Sequence, residues 1–144
     1  MRDYQKAKVY AWEDQVVAPR VSLQIPFERA QQYVDGVWIA HGWQHPPLVG
    51  LMAKQNKKHL ADGCRTQIRI RDTTPAWLIL HELAHTLTCD IDGRSDGHGP
   101  DFVGIYIQLL EDVEKISRLM CVYTLNGAKI DYNMVVKPWM ERRR

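Results

Sequence analysis

Several things are scarce in this sequence. Among its 144 residues there are three cysteines, Cys64, Cys89 and Cys121, and no two are spaced as CxxC. An odd count without paired spacing excludes a disulfide framework and a four-cysteine zinc ribbon, and points to a reducing, cytoplasmic setting. No apolar run reaches 18 residues, which excludes a membrane-spanning helix and with it a membrane partner. The opening MRDYQKAKVYAWEDQ has no apolar h-region, so no secretory signal is expected there. An excess of one charge is missing too. The 19 Lys and Arg against 17 Asp and Glu leave a formal +2, too little by itself to imply a nucleic-acid partner. Repeats and low-complexity segments are absent. What is present is ordinary: 45% hydrophobic and 25% charged residues, as in a soluble globular domain. The length predicts a single domain over 1–144 that buries roughly 68–70% of its unfolded surface, enough for a core without staples. Six histidines are unevenly placed along it.

Periodicity predicts mainly helices. Val9, Trp12 and Val16 are spaced for a short helix within residues 1–17, which Pro19 breaks. Pro26 suits a first helical turn, and Phe27, Ala30, Val34, Val37, Trp38 and His41 form a helical stripe ended by Gly42 and Pro46-Pro47. Leu48–Ala53 is a short apolar run. In residues 64–71, Ile68 and Ile70 alternate with Gln67, Arg69 and Arg71, the pattern of a half-exposed strand. Thr74 suits a helix cap and Pro75 a first helical position, before a helix through Trp77, His81, His85 and Thr88. Residues 89–99 carry three Asp, three Gly and a Ser, and read as a loop. Pro100-Asp101 opens a helix with Phe102, Tyr106, Leu109, Leu110, Val113 and Ile116 on its apolar face. After a break near Ser117, residues 119–125 fit a helix stopped by Gly127 or a strand. The tail, 138–144, ends in three arginines and reads as mobile.

The chemistry concentrates in His81-Glu82-Leu83-Ala84-His85, an HExxH motif. Residues four apart share one helix face, so His81 and His85 can direct two imidazoles at one metal. Catalytic zinc takes three protein ligands and a water, and in this motif the glutamate, Glu82, is the general base toward that water. A chain of this composition holds the motif by chance in about one case in a hundred. The third ligand is read as His98, 13 residues after His85 beyond the Gly- and Asp-rich loop and just before a helix start. Its rivals are Cys89, Asp90, Asp92, Asp96, Glu111 and Glu114, with Cys89 better read as a small buried residue.

HELAH, a loop, and then His98-Gly99-Pro100-Asp101-Phe102 resembles the SprT-like or Spartan group of zinc metallopeptidases. Their pattern is HExxH, a variable loop, then HG before an apolar or aromatic residue. The likeness covers residues 75–110. It implies an α+β, zincin-like fold with a small sheet packed on helices and a metal-binding core at about 64–118. It also implies one Zn2+ on His81, His85 and His98, Glu82 as catalytic acid/base, and a protein or peptide substrate. The segment Lys8–Glu13 is similar to the Lys-Val-Tyr-x-Trp-Glu start of SprT-like proteins from phages and bacteria. Two departures matter: the cysteine-pair ribbon of SprT proper and the long DNA- and partner-binding extensions of Spartan are both missing. A peptidase core is therefore implied and a DNA–protein crosslink substrate is not. Two alternatives stay open, a non-catalytic zinc protein that binds a partner or sits in a phage virion, and a DNA-associated protease.

Weaker features complete the reading. Lys54, Lys57, Lys58, His59, Arg65, Arg69 and Arg71 could meet nucleic-acid phosphates, but near-neutral net charge favours a solvated face. Strand 67–71 reads as a charged edge strand, open to substrate by β-augmentation. Asp90, Asp92, Ser95 and Asp96 lack the twelfth-position Glu of a calcium loop and read as turns. Tyr106, Tyr123, Tyr132, Arg94 and His41 are candidate oxyanion donors. The five tryptophans read as core or core-edge residues.

Overall fold

The computed structural model of the chain describes residues 3–52, 62–63, 66–89 and 96–141. Helix α1, Lys6–Trp12, buries Val9 and Trp12 at the expected spacing. It does not end there. It widens into a π-helical turn, Glu13–Val17, and then tightens into a 3-10 turn, Ala18–Arg20, around Pro19. A π turn carries an extra residue and so rotates the side chains beyond it about the helix axis. Glu13, its first residue, is buried directly after Trp12 and one helical turn after Val9, on the same face.

Two proline-ended strands come next. Strand β1, Gln24–Pro26, pairs antiparallel with β5, Thr73–Pro75, and each runs straight into a helix: α2, Phe27–Ala40, and α3, Ala76–Thr88. The expected cap at Thr74 is corrected. Thr74 is a buried strand residue opposite Ile25, and its hydroxyl has no hydrogen-bond partner. Pro75 and Pro26 occupy cap positions instead of the first helical turn, with no side-chain cap. The reason is the proline itself, which pushes the preceding residue to extended backbone. The first helical N–H groups are satisfied across the ladder: Phe27 donates to the Asp72 carbonyl at 2.8 Å and Ala76 to the Leu23 carbonyl at 2.9 Å.

The second sheet has the order β2-β4-β3: Leu48–Leu51, Gln67–Ile70 and Asp62–Gly63. β2 is parallel to β4, and β3 antiparallel. Ile68 and Ile70 are fully buried and Gln67 and Arg69 exposed, as the alternation predicts. The edge position is corrected. β4 is the central strand, because the two residues of β3 pair with Arg69 and Ile68 on the side left open by β2. The outer edge of β2 is itself covered. Gln31 of α2 accepts from the Val49 N–H at 2.8 Å and donates to the Pro47 carbonyl at 3.0 Å, standing where a neighbouring strand would pair.

Helix α3 packs along α4, Pro100–Glu114; α3 is buried on nearly every side, and α4 from Phe102 to Leu110 apart from Gln108. Residues 118–127 are helical (α5, Arg118–Gly127), with the Ser117 side chain accepting from the Met120 N–H. Gly127 is the last helical residue and not the stop; the left-handed position beyond it is Lys129. The strap after α5 crosses α4 at Gly104, where an added Cβ would clash with the Asn133 carbonyl oxygen. The expectation of a mobile tail is corrected for residues 138–141. Trp139–Glu141 forms a 3-10 turn, the Trp139 indole donates to the Thr86 carbonyl at 3.0 Å, and Glu141 accepts from the Trp43 indole. Residues 142–144 lie outside the described residues. Trp12 and Trp38 are core residues and the other tryptophans are half-buried at its margin. Among the described residues no helix is long and apolar enough to cross a membrane.

Candidate metal centre

Helix α3 carries His81 and His85 on one face, and the turn before α4 brings in His98. That turn is built by Asp96, whose Oδ2 accepts from the Asp101 N–H at 2.8 Å, and by Gly97, whose φ of 66° favours glycine. Burial raises the Asp96 carboxyl above its ordinary range. The ligand-capable atoms of the three histidines all lie within 4.8 Å of one another. The Nε2 of His98 is 3.2 Å from that of His85 and 3.3 Å from that of His81. Two nitrogens each about 2.0–2.1 Å from a tetrahedral zinc lie about 3.3–3.4 Å apart, so this spacing fits one shared ion. His81 and His98 are 2% and 6% exposed. Phe102 stacks on His85, with centroids 4.3 Å apart, and meets the other two rings edge-on.

The opposite ring nitrogens face carboxylates. His98 Nδ1 lies 2.7 Å from Asp3 Oδ2, and His81 Nδ1 lies 2.6 Å from Glu13 Oε2. Glu13 Oε2 also accepts from the Tyr106 hydroxyl at 2.8 Å. Burial acts on Asp3 to raise its carboxyl, but the hydrogen bonds and charge of His98 prevail and hold it below its ordinary value. His98 thus turns Nδ1 to Asp3 and Nε2 to the other two histidines. Burial drives Glu13 up to about 8 and His81 down to about 3. With charge opposed on both partners, the metal-free pair is a neutral hydrogen bond and not an ion pair. His85 is driven in the same direction as His81, by burial and then by the neighbouring histidines.

Glu82 is buried, 5% exposed, and its charge is felt at Tyr10 and Tyr106. The rivals for the third ligand are accounted for where they are described. Cys89 is buried and donates to the Thr86 carbonyl; Glu111 pairs with Arg118; Glu114 accepts from Tyr33; Asp96 serves the start of α4. Asp90 and Asp92 lie outside the described residues, as do Arg94 and Ser95 and, in the basic patch, Lys54, Lys57, Lys58, His59 and Arg65. Of the other oxyanion candidates, Tyr106 is fully buried and turned to Glu13, Tyr123 is 79% exposed on α5, Tyr132 donates to Asn126, and His41 stacks on Trp43 away from the triad.

Three residues at the site escape a motif reading: Asp3, Tyr10 and Glu13. Tyr10 is partly exposed and sets its ring edge-on to His98, 5.1 Å between centroids; burial pushes its hydroxyl up to about 12. The site therefore reaches well outside residues 64–118. The signal present in the sequence is the Lys8–Glu13 segment, which holds two of the three. No family model, no curated protein and no solved structure matches the chain.

Proposed function

We propose that this chain is a zincin-like, SprT-like zinc metallopeptidase. One observation carries the reading: the His98 Nε2 lies at the spacing of tetrahedral ligands from the Nε2 of both HExxH histidines, with the motif's glutamate on the same buried helix turn. The order of helix, short strands and motif helix supports the zincin-like fold. His81, His85 and His98 would hold the ion. When bound, zinc supplies Lewis-acid activation of a water and of a peptide carbonyl. Glu82 takes the proton from the attacking water and returns it to the departing amine. It is buried, 5% exposed, on the helix turn that carries His81. Tyr10, exposed and with its ring edge-on to His98, is the donor assigned to charge developing on the carbonyl oxygen.

The depth of Glu82 favours a second reading, a closed metal site without catalysis that serves structure or a partner. The test uses casein and histone cleavage by wild type and Glu82→Gln, each with and without single-stranded DNA. The peptidase reading expects Glu82→Gln to keep its zinc and lose about 10²–10⁴-fold in rate. Equal rates in the two proteins contradict it. Cleavage that needs DNA would assign the DNA-associated form.

A further inference from the structure

We infer that the segment Asp3–Glu13 is a working part of the metal centre, in which Asp3 and Glu13 are positioning residues that set its metal affinity by holding His98 and His81 through Nδ1. The inference rests on the metal reading above. Its observation is the pairing itself: two of the three converging histidines have their far nitrogen on a carboxylate, at 2.7 Å and 2.6 Å, and both carboxylates come from the first 13 residues. A histidine ring has two nitrogens, and a proton fixed on Nδ1 leaves Nε2 as the ligand. A carboxylate on Nδ1 also fixes the ring's rotation and makes Nε2 more basic, which is why such partners tune metal sites.

The surroundings are arranged to keep both contacts. Asp3 lies in space that only glycine leaves open, since a Cβ on Gly97 would be 2.7 Å from Asp3 Oδ2. Its other oxygen, Oδ1, accepts from the His98 N–H at 3.3 Å. Gln5, 1% exposed, donates to the carbonyls of His98 and Asp131 and accepts from the Asp131 N–H at 2.6 Å. This ties the start of the chain both to the ligand loop and to the strap beyond α5. Glu13 lies one helical turn after buried Val9, on the same inward face, and is held by Tyr106. Neither carboxylate touches another basic side chain among the described residues, so the histidines are their partners.

The test measures zinc affinity by chelator competition, with the absorption spectrum of the Co2+ form as a second readout. The proteins are the full chain and its Asp3→Ala, Asp3→Asn, Glu13→Ala, Glu13→Gln and Asp14→Asn variants. Asp14 is exposed beside Glu13 and controls for loss of a nearby charge. We expect zinc to bind about 10–100-fold more weakly after each alanine substitution, less so in the amides, which keep an acceptor, and no change for Asp14→Asn. The Co2+ bands should shift in the alanine variants, which a purely structural role would not produce. Asp3 is partly exposed, so its variants fold even if loss of buried Glu13 does not permit folding. Affinities and Co2+ spectra within about twofold of wild type in folded Asp3→Ala overturn the inference. A wild-type chain that takes up no zinc overturns the metal reading on which it stands.

Discussion

Two of the histidine–carboxylate contacts among the described residues differ in kind. At the C-terminus of α2, His41 Nε2 meets Asp112 at 3.1 Å, and at α3, His81 Nδ1 meets Glu13 at 2.6 Å. His41 spends its other nitrogen on the Val37 carbonyl at 2.7 Å and stacks on Trp43. Neither of its ring nitrogens is left for a ligand. His81 spends only Nδ1 and turns Nε2 toward two more histidines. The side chains at the first contact are 21% and 51% exposed, and at the second 3% and 4%. Water screens the first pair, while burial neutralises the second and makes its geometry costly to disturb. A histidine beside a carboxylate is thus a ligand candidate only when its second nitrogen is unspent and aimed at others.

The largest effect that can break this comparison is on metal itself. His85→Ala should abolish zinc uptake, and His41→Ala should leave it whole, as read by metal analysis of the purified proteins. Chelator removal of zinc comes next. With the ion at about 100–1,000 times its dissociation constant, its loss costs about 2.7–4.1 kcal/mol, and the midpoint of thermal unfolding should fall by about 8–12 °C. A packing defect where the strap crosses α4 gives a contrast. Gly104→Ala should destabilise by roughly 1–3 kcal/mol or more, from the clash with the Asn133 carbonyl, with zinc stoichiometry unchanged.

The pH dependence of the metal-free protein is a subtler discriminator. Folded His81 takes its proton only near 3, whereas the unfolded ring takes it at 6.5, so stability is lost as pH falls below 6.5. Glu13 works the other way. Its folded value of about 8 exceeds the ordinary 4.5, so stability is lost as pH rises from 4.5 through 8. The two losses oppose each other between 4.5 and 6.5, and outside that window each acts alone. Denaturant midpoints of the metal-free chain should therefore be highest between these two values and fall on both sides. Zinc on Nε2 favours the Glu13 carboxylate and should flatten the alkaline side. The smallest effect is expected at the exposed pair: Asp112→Asn should change stability by less than about 1 kcal/mol.

The converging histidines are legible in the sequence because a helix repeats on a fixed period. His81 and His85 are neighbours on α3 through local geometry alone, and His98 is announced by the helix start at Pro100. Asp3 and Glu13 are not legible. They lie 95 and 68 residues from their histidines, and no local period links residues so far apart. The two-residue β3 is equally invisible to alternation, and it is what makes β4 central. Thr74 deceives a sequence reading because a threonine cap and a strand threonine before a proline look the same until the partner strand, β1, is in place.

The central claim is that the three histidines hold one metal ion. The direct measurement is metal content per chain for wild type and His98→Ala, purified without chelator and with zinc in the medium. One zinc per wild-type chain and none in the variant is the predicted result. No metal in wild type, or equal metal in both, contradicts the account.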